Sequence, residues 1–307
     1  MAPSPLVSVV VVVHDMAREL PRTLRTLAPG HQRDIEPGQV ELVLVDNGSS
    51  EPVDPTLLAA HPGPVVHHRL DPAPASPARA ANLGIGSATA PLVGLIVDGA
   101  RMASPRLLAS ARRASLLADR PVVTAPAYHL GPVVHMRAAE AGYDQRVEDE
   151  LLAGSGWEDD GDALFAISTF AGSSHRGWFG PMGESSSLFL DRSRWAELGG
   201  LDEAFALPGG GLVNHDLYRR ACALPGIELV QLLGDGTFHQ YHGGAATGRR
   251  FTWDEMHADY RSIRGSDYRP PSLRPVYLGP LPDPAVGHLE RSVAWRVAHG
   301  WPQDGAQ

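Results

Sequence analysis

The feature that most constrains this chain is an alternation of β-branched runs with helix-spaced segments over the first hundred residues. Val7–Val13 reads as a buried strand, and Met16–Leu27 repeats apolar residues at helical spacing. Val40–Val45 is a second strand, punctuated by Pro52 and Pro55 before a short helix at Leu57–Ala60. Val65–His68 predicts a third strand, Asp71–Pro77 a Pro-rich loop, Arg79–Ala88 a helix and Pro91–Val97 a fourth strand. A β-α-β order of this kind predicts an α/β fold: a Rossmann-like, mostly parallel sheet flanked by helices.

In such sheets ligands bind beyond the carboxyl ends of the strands. The polar residues fall there: His14-Asp15, Asp46-Asn47 and Asp98. A single Asp-Asn-Gly-Ser stretch is adequately explained as turn chemistry, whereas three strand ends in succession point to a ligand. Asp15 has two readings of equal weight, a ligand contact or the N-cap of the helix that follows.

The remainder is less regular. Residues 128–182 read as an insertion or lid, and the acidic runs Glu148–Glu150 and Glu158–Asp162 as solvated surface, because their carboxylates have no common register. Ser186–Leu190 predicts a strand, Arg192–Leu198 a helix, Gly199-Gly200 a turn, and Asn214–Ala223 a helix after a Gly-rich loop. Pro270–Pro284 predicts a tail wrapped on the surface, and Val286–His299 a last helix. The expected division is residues 1–125, residues 126–265 and a tail of residues 266–307.

Composition excludes several function classes. With 26 Lys+Arg (all Arg) against 35 Asp+Glu, the net charge of −9 opposes a broad grip on nucleic acid or anionic lipid. The one cysteine, Cys222, excludes an intramolecular disulfide framework and a Cys-based zinc cluster, so a cytoplasmic setting is expected and Cys222 is expected in the core. The apolar run from Leu6 lacks a basic leader and meets His14 and Asp15 too soon for a signal peptide. No apolar stretch approaches the roughly 20 residues of a membrane span, which leaves only peripheral attachment open. Homo-oligomerisation is also left open.

The ordered set Val7–Val13 with His14-Asp15, Val45-Asp46-Asn47-Gly48-Ser49-Ser50, Ala81-Asn82-Leu83-Gly84 and Leu95-Ile96-Val97-Asp98-Gly99-Ala100 resembles the signatures of family 2 glycosyltransferases of GT-A fold. Trp195–Phe205, with Gly199-Gly200-Leu201-Asp202-Glu203, resembles that family's acceptor-side segment, and the likeness runs from about residue 6 to 245. It implies a nucleotide-sugar-binding half (1–125), an acceptor-binding and catalytic half (126–265), and transfer of a sugar from a nucleoside diphosphate donor, UDP-linked, to a hydroxyl acceptor. The nucleotide-binding set it implies is His14, Asp15, Asp46, Asn47, Asn82 and Asp98, with Asp46 as base reader and Asp98 facing ribose and metal. A glycan, a lipid-linked sugar or a small metabolite would serve as acceptor.

Two departures from the family pattern matter. The D-x-D motif is Asp98-Gly99-Ala100, so its second carboxylate is missing; the resemblance offers His239 or His242 as replacement ligands, which favour Mn over Mg. The catalytic pair, expected after Gly209-Gly210-Gly211, is either His215-Asp216 or, in the other register, centred on Asn214. Asp216 is the first choice for general base and His215 the second; Asn214 at that position would favour a retaining course, so stereochemistry stays open.

Secondary candidates are Glu184 near acceptor or sugar, Trp178, Phe179 and Trp195 as a sugar platform or core, and Arg249-Arg250 as a phosphate fork. Gly84-Ile85-Gly86 precedes a strand instead of following one, which argues against a dinucleotide fingerprint, and no serine-hydrolase elbow occurs. The competing expectation is a non-catalytic nucleotide- or sugar-binding module of the same shape.

Overall fold

The computed structural model describes residues 4–243 and 251–300. Strands in chain order are β1 (Val7–Val13), β2 (Val40–Asp46), β3 (Val65–Arg69), β4 (Leu92–Ile96), β5 (Arg101–Ala103), β6 (Pro121–Thr124), β7 (Ala127–Leu130), β8 (Ser168–Phe170), β9 (Ser187–Asp191), β10 (Glu228–Leu232), β11 (Thr237–His239) and β12 (Val276–Leu278). Helices are α1 (Leu20–Leu27), α2 (Pro55–Ala59), α3 (Ala78–Ser87), α4 (Leu107–Ala114), α5 (His135–Glu140), α6 (Gln145–Ala153), α7 (Ala163–Ala166), α8 (Arg192–Leu198), α9 (Val213–Cys222), α10 (Trp253–Arg264) and α11 (Val286–His299).

The main sheet has the order β12-β10-β6-β9-β4-β1-β2-β3. All its neighbours pair in parallel except at β9, which runs opposite to β4 and β6. Every residue of β1 is buried, as a strand covered on both faces requires. Its period of two divides the valines between two cores. Val10 and Val12 pack with α3, α8 and α9, while Val7, Val9, Val11 and Val13 pack with α1 and α4. Each fully buried valine contributes about 1.5–3 kcal/mol of burial free energy, so this strand anchors both layers.

A smaller sheet, β5-β11-β7-β8, covers one end. Its aromatic core of Tyr128, Phe165, Phe170 and Trp178, joined by Phe238 of β11, is drawn mainly from the stretch expected as an insertion or lid. That stretch is instead an integral packed layer. The acidic runs, expected as solvated surface, are so in part: Glu150, Glu158, Asp159 and Asp160 are exposed, whereas Glu148 is wholly buried and Asp162 is buried between Arg33 and Arg106. Trp178 and Trp195 are core residues, Trp195 Nε1 donating to Val93 O at 2.9 Å, so neither offers a platform for a sugar. Cys222 lies in the core, as expected.

Two boundaries moved. The helix expected from Met16 starts at Leu20, with a proline in its first turn. The tail does more than wrap, since Val276–Leu278 adds β12 alongside β10. No helix among the described residues is long and apolar enough to cross a membrane.

Candidate active site

The ends of β1 and β2 form one turn system. Asp15 has φ 53°, in the left-handed region, and does not cap α1, whose N-cap is Glu19. Its carboxylate instead accepts from Ser50 N at 2.7 Å and Ser50 Oγ at 2.8 Å, bonds that hold it below the usual carboxylate range. Asp15 N donates to Ser49 Oγ at 3.0 Å, and His14 Nδ1–H donates to Asn47 O at 3.1 Å. Gly48 closes the turn at φ 73°, where an added Cβ would lie 2.6 Å from Ala73 Cβ.

Asp46, the expected base reader, is engaged within the protein. It is fully buried, with one oxygen accepting from Ser49 N at 2.8 Å and the other from Arg69. Its part is to shape the turn, which presents Asp15, His14 and the 47–50 backbone. Asn47 is buried, with Nδ2 on Pro74 O and an Oδ1 that has no donor. The Asn82 amide holds Leu201 through both N and O and reaches Glu203, which pins the Gly200-Leu201 turn.

At the end of β4 the chain passes through Asp98-Gly99-Ala100-Arg101. An added Cβ on Gly99 would lie 2.3 Å from Val13 Cγ1, which explains glycine there. Ala100, at the position of the family's second carboxylate, is wholly buried. Asp98 accepts from Ala100 N at 3.0 Å and from Arg101 Nε at 2.9 Å. On the small sheet, β11 pairs His239 with Arg101 on one side and with His129 on the other. His135 and His242 complete a histidine cluster: the rings of His129 and His135 stack at 4.2 Å, and His239 Nε2 lies 3.1 Å from His242 Nε2 and 3.8 Å from Asp98 Oδ2.

Burial holds three of these imidazoles, His129, His135 and His239, neutral. The pKa values of His129 and His239 fall well below the usual range and that of His135 to about 4, with the Arg101 charge pushing the same way. His135 Nε2–H donates to Leu130 O at 3.1 Å, and its buried Nδ1 has no partner among the described residues. Two sets of three gather ligand atoms within 4.8 Å of one another, Asp98-His239-His242 and His129-His135-His239. Both share His239. In the first set, however, both Asp98 oxygens already have donors, one of them a guanidinium, and the second carboxylate is absent. That donor set fits a divalent cation poorly.

A buried clamp positions the segment that carries His242. Glu148 Oε2 accepts from Tyr241 N at 2.7 Å, and Arg18 donates to Tyr241 O at 3.2 Å and to Asp149 at 2.7 Å. Burial raises the Glu148 carboxyl to about 7 against the opposing pull of Tyr241 N–H and Arg18.

On the expected acceptor side, the structure separates His215 from Asp216. Asp216 is buried and receives Arg264 as a two-pronged fork, Nε at 2.6 Å and Nη2 at 2.7 Å, plus Arg220 Nε at 2.7 Å. Arg220 also donates to Leu198 O and Gly200 O. Asp216 therefore ties α9 to α10 and to the 198–202 turn, with both of its oxygens engaged by arginine. The His215 ring faces elsewhere: Nδ1 is 3.4 Å from Glu184 Oε2, Tyr268 and Trp253 pack on it edge-on, and burial lowers its pKa against the opposing pull of Glu184. Val97 N donates to Ser186 O, which brings the chain around Glu184 beside the end of β4.

His129, His135, Arg101, Glu148 and Arg18 escaped sequence reading. Only cross-strand register joins Arg101 and His129 through His239, and that leaves no local motif. Arg249-Arg250 lies outside the described residues.

No family model and no curated protein matches the chain. Solved structures do. A mannosyltransferase, PcManGT from Pyrobaculum calidifontis in complex with GDP-Man and Mn2+, aligns at TM-score 0.53 and 15% identity over 98% of this chain and 77% of that one. S. aureus TarS residues 1–349 with UDP-GlcNAc aligns at TM-score 0.53 and 11% identity over 95% of this chain and 72% of that one. A longer TarS structure aligns at TM-score 0.50 and 10% identity, and there the match spans only 42% of the TarS chain. The chain thus has the GT-A glycosyltransferase fold.

Proposed function

We propose that this protein is a glycosyltransferase that moves a sugar from a nucleoside diphosphate donor to a hydroxyl acceptor. UDP- and GDP-linked donors are the first to test, since the structural neighbours were solved with UDP-GlcNAc and GDP-Man. The observation that carries the reading is the gathering of the His14–Ser50 turn and Asp98 at one sheet edge, with the Glu184 segment running beside Asp98. Asp15 and the 47–50 turn would receive the nucleoside, and the Asp98–Arg101 segment with His239 and His242 the diphosphate.

In this scheme His215 is the base, with Glu184 facing its Nδ1. A neutral imidazole with Nδ1–H turned toward Glu184 presents a lone pair at Nε2. The acceptor oxygen bonds to the anomeric carbon, the bond to the diphosphate oxygen breaks, and the acceptor proton moves to Nε2. Asp216, occupied by two arginines, takes no part in the transfer.

The test is release of UDP or GDP from UDP- and GDP-sugars across a panel of hydroxyl acceptors. Wild type should turn over one donor, and His215→Ala should lose about 10²–10⁴-fold in rate. The alternative, a non-catalytic binding module, is favoured by the missing carboxylate after Asp98. Nucleotide binding with no turnover of any donor would select it.

A further inference from the structure

The GT-A fold raises the question of what neutralises the diphosphate where the usual second carboxylate is absent. Building on the donor-site reading above, we propose that Arg101 is the diphosphate-binding cation of this chain, so that nucleotide binds without a divalent metal. Four observations converge on it. Ala100 is wholly buried where a metal ligand would be required. Arg101 Nε holds Asp98 at 2.9 Å and thereby fixes the guanidinium at the end of β4. Among the described residues Arg101 Nη1 is buried without an acceptor, an arrangement that costs free energy unless an anion completes it. Finally, β11 sets Arg101 directly opposite His239, whose Nε2 contacts His242 and lies near Asp98.

The chemistry of these groups matches an anion better than a cation. A guanidinium gives a diphosphate parallel N–H donors in a fixed plane. The neighbouring imidazoles of His239 and His242 offer ring N–H donors to the same anion. A divalent ion placed among the same residues would sit beside a permanent positive charge, with a single carboxylate that Arg101 already neutralises.

The experiment is calorimetric titration of UDP and of GDP into the full chain, in EDTA and in Mn2+, for wild type, Arg101→Met and Arg101→Lys. Wild type should bind one nucleotide in EDTA within about threefold of its affinity in Mn2+, and Arg101→Met should weaken that binding by about tenfold or more, with Arg101→Lys between them. The Asp98→Asn/Arg101→Met double variant, which leaves net charge unchanged, guards against misfolding. It should keep the wild-type melting temperature and still bind weakly in EDTA. Binding that requires Mn2+, or that is undiminished in the folded double variant, overturns the assignment while leaving the donor site intact. No binding of any nucleotide under either condition overturns the donor-site reading itself.

Discussion

Asp216 shows how far a single residue's chemistry depends on its partners. As a carboxylate just after a Gly-rich loop it has the sequence credentials of a general base, but Arg264 and Arg220 are 48 and 4 positions away, and only folding brings the distant arginine to it. Breaking a buried pair by removing one member costs about 3–5 kcal/mol, so Asp216→Ala is expected to lower thermal stability sharply, as read by calorimetry. An unchanged melting temperature with lost transfer would restore Asp216 as base. Gly99 makes the opposite point. Its place in the Asp98-Gly99-Ala100 motif looked like part of a degraded metal signature, whereas the close approach of Val13 explains it. Gly99→Ala should therefore cost about 1–3 kcal/mol by overpacking, measured by chemical denaturation, and no loss would mean that Val13 yields freely.

At the level of elements, legibility followed local chemistry. Helices Arg192–Leu198 and Val286–His299 were readable end to end, the first because Asp191 caps it and Gly199 stops it in the left-handed conformation. The start of α1 was misread because the apolar spacing begins before the helix does. The layer between β7 and β8 is hard to read for a different reason: Glu148 belongs to a run whose Glu150 is exposed, and only folding brings Arg18 and Tyr241 onto it. That burial has a pH signature. The Glu148 carboxyl, raised from 4.5 to about 7, contributes stability that is complete below about pH 4.5 and is lost as pH rises through about 7. Glu148→Gln keeps an acceptor for Tyr241 N but cannot ionise. Between about pH 5 and pH 8 the wild-type melting temperature should fall relative to this variant, and parallel curves would contradict the assignment.

At the scale of the whole molecule, the order of strands and strand-end polar residues was enough to anticipate a parallel α/β sheet with ligand chemistry at one edge, because β-α-β connections leave few topologies. The antiparallel β9 and the second sheet were not visible, since strand order across a sheet is not written in local pattern. The same limit hid the row Arg101-His239-His129, three residues from three separated strands. The central claim is that this edge is a nucleotide-sugar donor site. Its most direct test is thermal stabilisation by UDP, GDP, CDP and dTDP, because a ligand bound only by the native state raises stability by RT ln(1 + [L]/Kd). One nucleotide should raise the melting temperature saturably, with the shift lost in Asp98→Ala. No shift with any of the four would contradict the account.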